Sequence, residues 1–298
     1  MRGIISRFAP APTGFLHLGH AANAALVWRE TRARSGRVLL RIEDHDRRRS
    51  RRRFEDAILE DLAWLGFEAD EPPVRQSDRD DIYLRALDTL RRQGLVYACA
   101  CSRTEIEATR AALKGSAADR SEAGVAQAFP GPPRRAPREG GRPADAELWY
   151  PGTCRDRGLA EGPGLGLRVR LAPSIERFTD LRLGPQEQRP SDQCGDLLAR
   201  DRDGNWAYQF AATVDDFVQH VTLVIRGADL LASTGRQIQL ARLLGREAPP
   251  AFLHHALIMK SAEQKLSKSD GDTGVRELRS RGWTPAQVID AALAALTT

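Results

Sequence analysis

"GIISRFAPAPTGFLHLGHAANAALVWRETRARSGRVLLRIED", Gly3 to Asp44, is the stretch from which the fold can be read. "GIISRF" reads as a short strand entering a Pro/Gly loop, "HLGHAANAALVWRETRARSG" as a helix closed by Gly36, and "RVLLRIED" as an apolar strand. This β-loop-α-β start opens a parallel, doubly wound α/β sheet, where ligands sit at the carboxyl ends of strands and at helix N-termini. No G-x-G-x-x-G follows the first strand, so dinucleotide binding is not indicated.

Further along, "FEDAILEDLAWLGF" (Phe54–Phe67) and "DDIYLRALDTLRRQG" (Asp80–Gly94) carry apolar residues at helical spacing, with their charges on a solvated face. From Thr109 to Glu147 the composition shifts. "FPGPPRRAPREGGRPAD" is too rich in Pro, Gly and Arg to pack a core, and the segment reads as a flexible insertion. Order resumes with the strand "LRVRL", the apolar "WAYQFAATVDDFVQHVTLVIRG" (Trp206–Gly227), read as strand-rich, and the helical "TGRQIQLARLLG". In "TPAQVIDAALAAL", Thr284 caps a last helix with Pro285 in its first turn.

A chain of 298 residues with 41% hydrophobic and 29% charged positions can bury a substantial core. It has neither a continuous apolar run of membrane-spanning length nor a secretory leader, which leads to the expectation of a cytoplasmic, monomeric protein without a membrane partner. The net charge of +5 fits a polyanionic partner. Only four of the 45 basic residues are lysines, and three of these, Lys260, Lys265 and Lys268, fall close together around "KLSKS". Lysine surviving there and almost nowhere else implies a need for a compact, flexible ammonium rather than a planar guanidinium.

Four cysteines in such a chain argue for metal or burial rather than a disulfide framework. Cys99 and Cys101 form a C-x-C pair, and "YPGTC" brings Tyr150 and Cys154 after a Pro-Gly turn. Thiolates at this spacing suit tetrahedral zinc. Cys194, alone, reads as a small buried hydrophobe.

In "HLGH", Gly19 lets a nucleotide approach the backbone, while His17, His20 and the helix N-terminus offer donors to phosphate oxygens. A loop bearing Lys268, with Lys265 beside it, can close over an α-phosphate as charge builds there under attack by a carboxylate. "HLGH" and "KLSKS" resemble the HIGH and KMSKS signatures of the class I aminoacyl-tRNA synthetases. "RFAPAPTGFLHLGH", "RIEDHDRRRS", "YQFAATVDD" and "VIRGADLLASTGRQIQL" resemble successive blocks of the glutamyl-tRNA synthetase core. "RGADLL", the Cys and Tyr spacing, and the few residues after "KLSKS" are most similar to the short paralogous family, the glutamyl-queuosine tRNA(Asp) synthetases.

The resemblance implies a class I Rossmann-type catalytic core with an inserted zinc-containing subdomain and a short helical C-terminal part. The implied boundaries are 1–93 and 171–245 for the two catalytic halves, 94–170 for the insertion with its flexible 109–147, and 246–298 for the KLSKS loop and C-terminal helices. It implies a glutamate pocket of Arg7, Phe8, Ala9, Pro10, Ala11, Glu43, Tyr208 and Arg226. His17, Gly19, His20, Lys265 and Lys268 would serve ATP, with His17, His20 and Lys268 catalytic, and one structural zinc would sit on Cys99, Cys101, Tyr150 and Cys154. The family commonly has Ser where this chain has Ala11, so a hydroxyl contact to the amino acid is missing. Because the insertion is long, Cys194 or water stay open as alternatives to Tyr150. The charge pattern agrees, since a buried carboxylate and two guanidiniums complement the ammonium and two carboxylates of glutamate.

The expected activity is Mg2+- and ATP-dependent formation of glutamyl-adenylate from L-glutamate, then transfer to queuosine in the anticodon of tRNA(Asp). The alternatives are a minimal glutamyl-tRNA synthetase charging a 3′ end, another HxGH nucleotidyltransferase, and an RNA-binding module without activity.

Overall fold

The computed structural model describes residues 3–118, 149–257 and 274–296. The cluster Lys260, Lys265 and Lys268, and all of the insertion beyond residue 118 up to 148, lie outside the described residues.

The chain begins β1 (Ile5–Phe8), α1 (Leu18–Arg32), β2 (Arg37–Ile42), α2 (Arg52–Leu65) and β3 (Val74–Arg75). β1 pairs in parallel with β2, Ile5 opposite Arg37, and β2 in parallel with β3, giving the β-α-β unit expected of the opening sequence. Five consecutive buried residues, Val38–Ile42, mark β2 as a strand covered on both faces. α1 is buried along most of its length through Ala21, Ala22, Ala24, Ala25, Leu26 and Val27, and the run of alanines lets it lie close to the strands. Gly66, at φ 80°, terminates α2 in the left-handed conformation that glycine adopts without strain.

Next come α3 (Asp80–Arg92), β4 (Val96–Cys99), α4 (Arg103–Ala118), β5 (Gly166–Val169), β6 (Glu176–Asp180), β7 (Gly184–Gln188), α5 (Pro190–Cys194) and β8 (Leu197–Arg200). The remainder is α6 (Tyr208–Val218), β9 (Leu223–Gly227), α7 (Thr234–Leu243), β10 (Ala251–His255), α8 (Val275–Ser280) and α9 (Pro285–Ala294). A four-stranded sheet runs β7-β6-β10-β9, with β9 and β10 parallel. It meets β1 edge to edge, where Thr222 N–H donates to Ile5 O at 2.8 Å. A separate antiparallel sheet runs β4-β5-β8, so the C-x-C segment shares a sheet with Leu197–Arg200.

Two expectations are corrected. Tyr208–Val218, read as strand-rich, is a helix. Phe210, Ala211 and Val214 fall on one buried side at helical spacing, a pattern that a short apolar run with β-branched residues conceals. Residues 109–118, assigned to the flexible insertion, continue α4, which starts with a capping box: Glu105 N–H donates to Ser102 Oγ at 3.2 Å, and Ser102 N–H to Glu105 Oε2 at 2.7 Å. Thr284 caps α9 with Gln287 in the same arrangement, as its sequence predicts.

Candidate active site

The carboxyl ends of β1, β2, β9 and β10 converge where Pro10, Glu43, Arg226 and His255 stand, the position at which a doubly wound sheet binds its ligands. Glu43 N–H donates to Pro10 O at 3.0 Å, tying the end of β2 to the loop after β1.

At the start of α1, HLGH makes a cap from two imidazoles. His17 is the N-cap, and its Nδ1 accepts from Gly19 N–H at 3.0 Å, while His20 Nδ1 accepts from His17 N–H at 3.2 Å. A neutral ring that accepts through Nδ1 carries its proton on Nε2, so each ring has its donor at Nε2. The rings lie 3.8 Å apart between centroids. Gly274, where the chain re-enters the described residues after the lysine cluster, forms an antiparallel bridge with His17, and Val275 N–H donates to Leu16 O at 2.9 Å. Both ends of the segment bearing Lys260, Lys265 and Lys268 are thereby anchored near α1, since His255 at its other end lies 3.3 Å from Asn23 Oδ1.

The other residues form a charged pocket. Arg7 donates through Nε to Asp216 Oδ1 at 2.9 Å. Arg41, fully buried, reaches Asp216 Oδ1 at 2.8 Å, Glu43 Oε1 at 3.1 Å and Asp215 Oδ2 at 3.6 Å. Burial raises the Asp216 carboxyl, but Arg7 and Arg41 outweigh it and hold it down to about 2. For Glu43 burial wins over Arg41, and its pKa is raised. Tyr208 is pushed up to about 12 by burial and by Glu43. Asp215, at the far end of α6, accepts from Arg79 Nε (2.7 Å), Tyr83 Oη (2.8 Å) and Gln76 Nε2 (2.8 Å), which fixes the helix that presents Tyr208.

Arg226 differs from the other arginines. Its Nε donates to His254 Nε2 at 3.0 Å, Nη1 to Gln237 Oε1 at 2.6 Å, and Nη2 to Thr234 Oγ1 at 2.9 Å, all neutral acceptors. Among the described residues no carboxylate forms an ion pair with it, and it is 4% exposed. Burial lowers its pKa to about 10, so it remains a cation at neutral pH.

The third centre is sulfur-rich. Cys99, Cys101 and Cys154 place their Sγ atoms within 4.8 Å of one another. Tyr150 Oη lies 3.4 Å from Cys99 Sγ and 3.9 Å from Cys101 Sγ, and Cys154 N–H donates to it at 2.8 Å. Three thiols and a phenol gathered this closely fit a tetrahedral thiophilic ion. Cys194 is not among them; its Sγ contacts Pro190 O and Gly195 O at 3.2 Å each, within the core of the antiparallel sheet. A cleft of about 700 Å³ joins the sulfur centre to the charged pocket, lined by Cys99, Cys101 and Arg168 on one side and by His45, Tyr208 and Gln209 on the other. Arg48, Arg49, Arg103 and Arg202 line it as well.

The structure thus brings Arg7, Pro10, Glu43, Tyr208 and Arg226 to one place and Cys99, Cys101, Tyr150 and Cys154 to another. Phe8 departs from expectation as a side chain. It is 1% exposed and packs edge-on against Trp28, so only its backbone can face a ligand. Arg41, Asp215, Asp216, Thr234, Gln237 and His254 escaped the sequence reading. Arg41 carried a usable signal: a charge two residues before Glu43 in an apolar strand faces the same side as Glu43.

The family described as "tRNA synthetases class I (E and Q), catalytic domain" matches residues 3–141 and 155–294. "Glutamyl-Q tRNA(Asp) synthetase" of Rhodobacter capsulatus is 38% identical over 298 residues, covering 96% of this chain and 98% of that protein. A protein of the same name from Bordetella bronchiseptica is 42% identical over 268 residues, 90% of this chain and 75% of that one. A solved glutamate tRNA ligase from Elizabethkingia meningosepticum, in complex with its amino acid, matches with a TM-score of 0.75 at 26% identity, over 98% of this chain and 60% of its own length. With the HxGH cap, the sheet and the family match in agreement, the chain belongs to the class I tRNA synthetases of the glutamate and glutamine (E and Q) type.

Proposed function

We propose that the chain activates L-glutamate with ATP to glutamyl-adenylate and transfers the glutamyl group to queuosine in the anticodon of tRNA(Asp). The observation that carries this reading is Arg226, a buried guanidinium with no carboxylate partner among the described residues, beside Arg7, Glu43 and Tyr208. A cation left in that state calls for an anion from outside, and an amino acid with two carboxylates and one ammonium meets Arg226, Arg7 and Glu43 with opposite charge at each. The names of the relatives at 38% and 42% identity support the choice of acceptor.

In the first step a glutamate carboxylate oxygen attacks the α-phosphorus of ATP, and pyrophosphate leaves. His17 and His20 donate from Nε2 to phosphate oxygens. Lys268, with Lys265, neutralises charge at the α-phosphate, and Mg2+ accompanies ATP. In the second step a hydroxyl of the cyclopentene diol of queuosine attacks the acyl carbon, with AMP as leaving group. Ala9, Pro10 and Ala11 meet the amino acid through backbone alone, and Phe8 does so without its side chain. Zinc on Cys99, Cys101, Tyr150 and Cys154 would hold β4 to the 150–154 turn, a structural role. The cleft between that centre and Tyr208 takes the RNA, where arginines along its wall meet phosphates and a base is splayed from its stack.

The test supplies labelled glutamate, ATP and Mg2+ with tRNA(Asp), with or without queuosine and with or without its terminal adenosine. The reading requires labelling of the queuosine form alone, independent of that adenosine. Labelling of unmodified tRNA(Glu) at its 3′ end would select a glutamyl-tRNA synthetase instead.

A further inference from the structure

Behind Arg226 stands a chain of hydrogen bonds that reaches away from the pocket into β6. Register places His254 of β10 beside Arg226 of β9. His254 Nε2 accepts from Arg226 Nε at 3.0 Å, and its Nδ1 lies 2.7 Å from Asp180 Oδ2. The side chains of His254 and Asp180 are both fully excluded from solvent. Asp180 is itself immobilised: its Oδ1 accepts from Arg182 N–H (3.0 Å) and Leu183 N–H (2.9 Å), and its Oδ2 also from His254 N–H (3.0 Å).

The donor and acceptor roles along this chain are determined. A guanidinium has only donors, so His254 Nε2 must present a lone pair to it. The ring proton then sits on Nδ1, where Asp180 accepts it. No other neutral tautomer satisfies both neighbours.

We propose that His254, locked in its Nδ1–H tautomer by Asp180, is a positioning residue for amino-acid recognition: its Nε2 lone pair aims the Arg226 guanidinium at the substrate carboxylate. This rests on the glutamate reading of the pocket. Gln237 and Thr234 accept from the two η nitrogens. Three of the five guanidinium N–H groups are thereby used, and two remain for a carboxylate. Because the acceptor at Nε is neutral, it orients Arg226 without neutralising it. A carboxylate in place of His254 would hold the guanidinium equally well but remove its charge from the substrate. Burial, together with the Arg226 cation, lowers the His254 pKa to about 4, so the ring stays unprotonated under the conditions in which Arg226 must act.

The test uses glutamate-dependent ATP–pyrophosphate exchange by the full chain. In His254→Asn the amide stays near Asp180 but no longer reaches Arg226. In His254→Gln the longer side chain carries an acceptor to about the place of Nε2. The Asn variant is expected to raise KM for glutamate about ten- to hundredfold, the scale of a lost hydrogen bond to a charged group, with kcat and KM for ATP within about threefold. The Gln variant should recover most of the loss. An unchanged glutamate KM in the Asn variant, or equal increases for glutamate and ATP in both variants, would overturn the proposal. A measurement without substitution guards against misfolding: the imidazole 15N shifts of His254 in the wild-type protein must report Nδ1 protonated and Nε2 bare, and the opposite tautomer rejects the proposal. Wild-type protein that performs no exchange with glutamate would refute the pocket assignment, and the tautomer measurement would still decide the role of His254.

Discussion

Gly19 shows how a single missing side chain shapes the nucleotide end of the site. A Cβ built there would lie 2.8 Å from His17 Cε1 and 3.0 Å from His17 Nδ1, the atom that accepts from the Gly19 amide. Gly19→Ala should therefore swing the His17 ring out and break the cap, at about 1 kcal/mol of stability. The accompanying change in pyrophosphate exchange should be roughly a tenfold higher KM for ATP with KM for glutamate unchanged, since 1.4 kcal/mol is tenfold in a binding constant. An unaltered KM for ATP would separate the HLGH cap from nucleotide binding. On the amino-acid side, Arg41 does the corresponding work from within. It is fully buried among Glu43, Asp215 and Asp216, and the three carboxylates outweigh burial and keep it charged. Removing it would leave three acidic groups facing one another in the interior.

The joint between α2 and α8 can be tested through pH. Asp61 is fully buried on α2 and faces Arg276 Nε of α8 at 3.3 Å. Burial, reinforced by Glu60, raises its pKa from 3.8 to about 6 against the opposing effect of Arg276. A raised folded-state pKa means that the contribution of Asp61 to stability is fully present below 3.8 and is lost as pH rises through about 6. Asp61→Asn, which mimics the protonated form, should be more stable than wild type by about 1–3 kcal/mol at pH 8 and should show little difference at pH 4. Denaturant midpoints at the two pH values measure this, and a variant less stable at pH 8 would show that the ion pair outweighs its desolvation. The same elements show what could be read from the chain. β1, α1, β2 and α9 were legible because each carries its own local signal: a Pro/Gly stop, a capping residue, a run of apolar positions. α6 was misread, since its Asp215 and Asp216 are buried against arginines contributed by other elements, and nothing in eleven residues announces a partner. For the same reason Glu43 and Arg226 could be placed by their blocks, whereas His254 and Asp180, which act only across strands, could not.

Taken as a whole, the molecule carries its chemistry at two places that are held in different ways. The parallel sheet rests on an apolar core that includes Phe8, Val27, Ile42, Leu62 and Val288. The antiparallel sheet has an apolar core of its own, which includes Leu167, Val169 and Leu197, but around the sulfur centre the buried cluster is small: Cys99, Ile106, Tyr150 and Cys154. Metal binding there should contribute directly to folding. Replacing Cys101 and Cys154 by Ser is expected to release about one zinc per chain, the one held by a closed four-ligand structural site, and to speed amide exchange in β4 and β5 while leaving β1 and β2 protected. Zinc absent from freshly prepared wild-type protein, or exchange that rises equally in both sheets, would contradict this. The edge contact between Ile5 and Thr222 has a further consequence, for the order of events during synthesis. These residues are 217 positions apart. Contacts that distant form late and cost loop-closure entropy before they return any stability. A nascent chain therefore has no amino-acid pocket until β9 and β10 have emerged from the ribosome. Free glutamate cannot assist the folding of the first half, which must hold together on β1, α1, β2 and α2 while it waits.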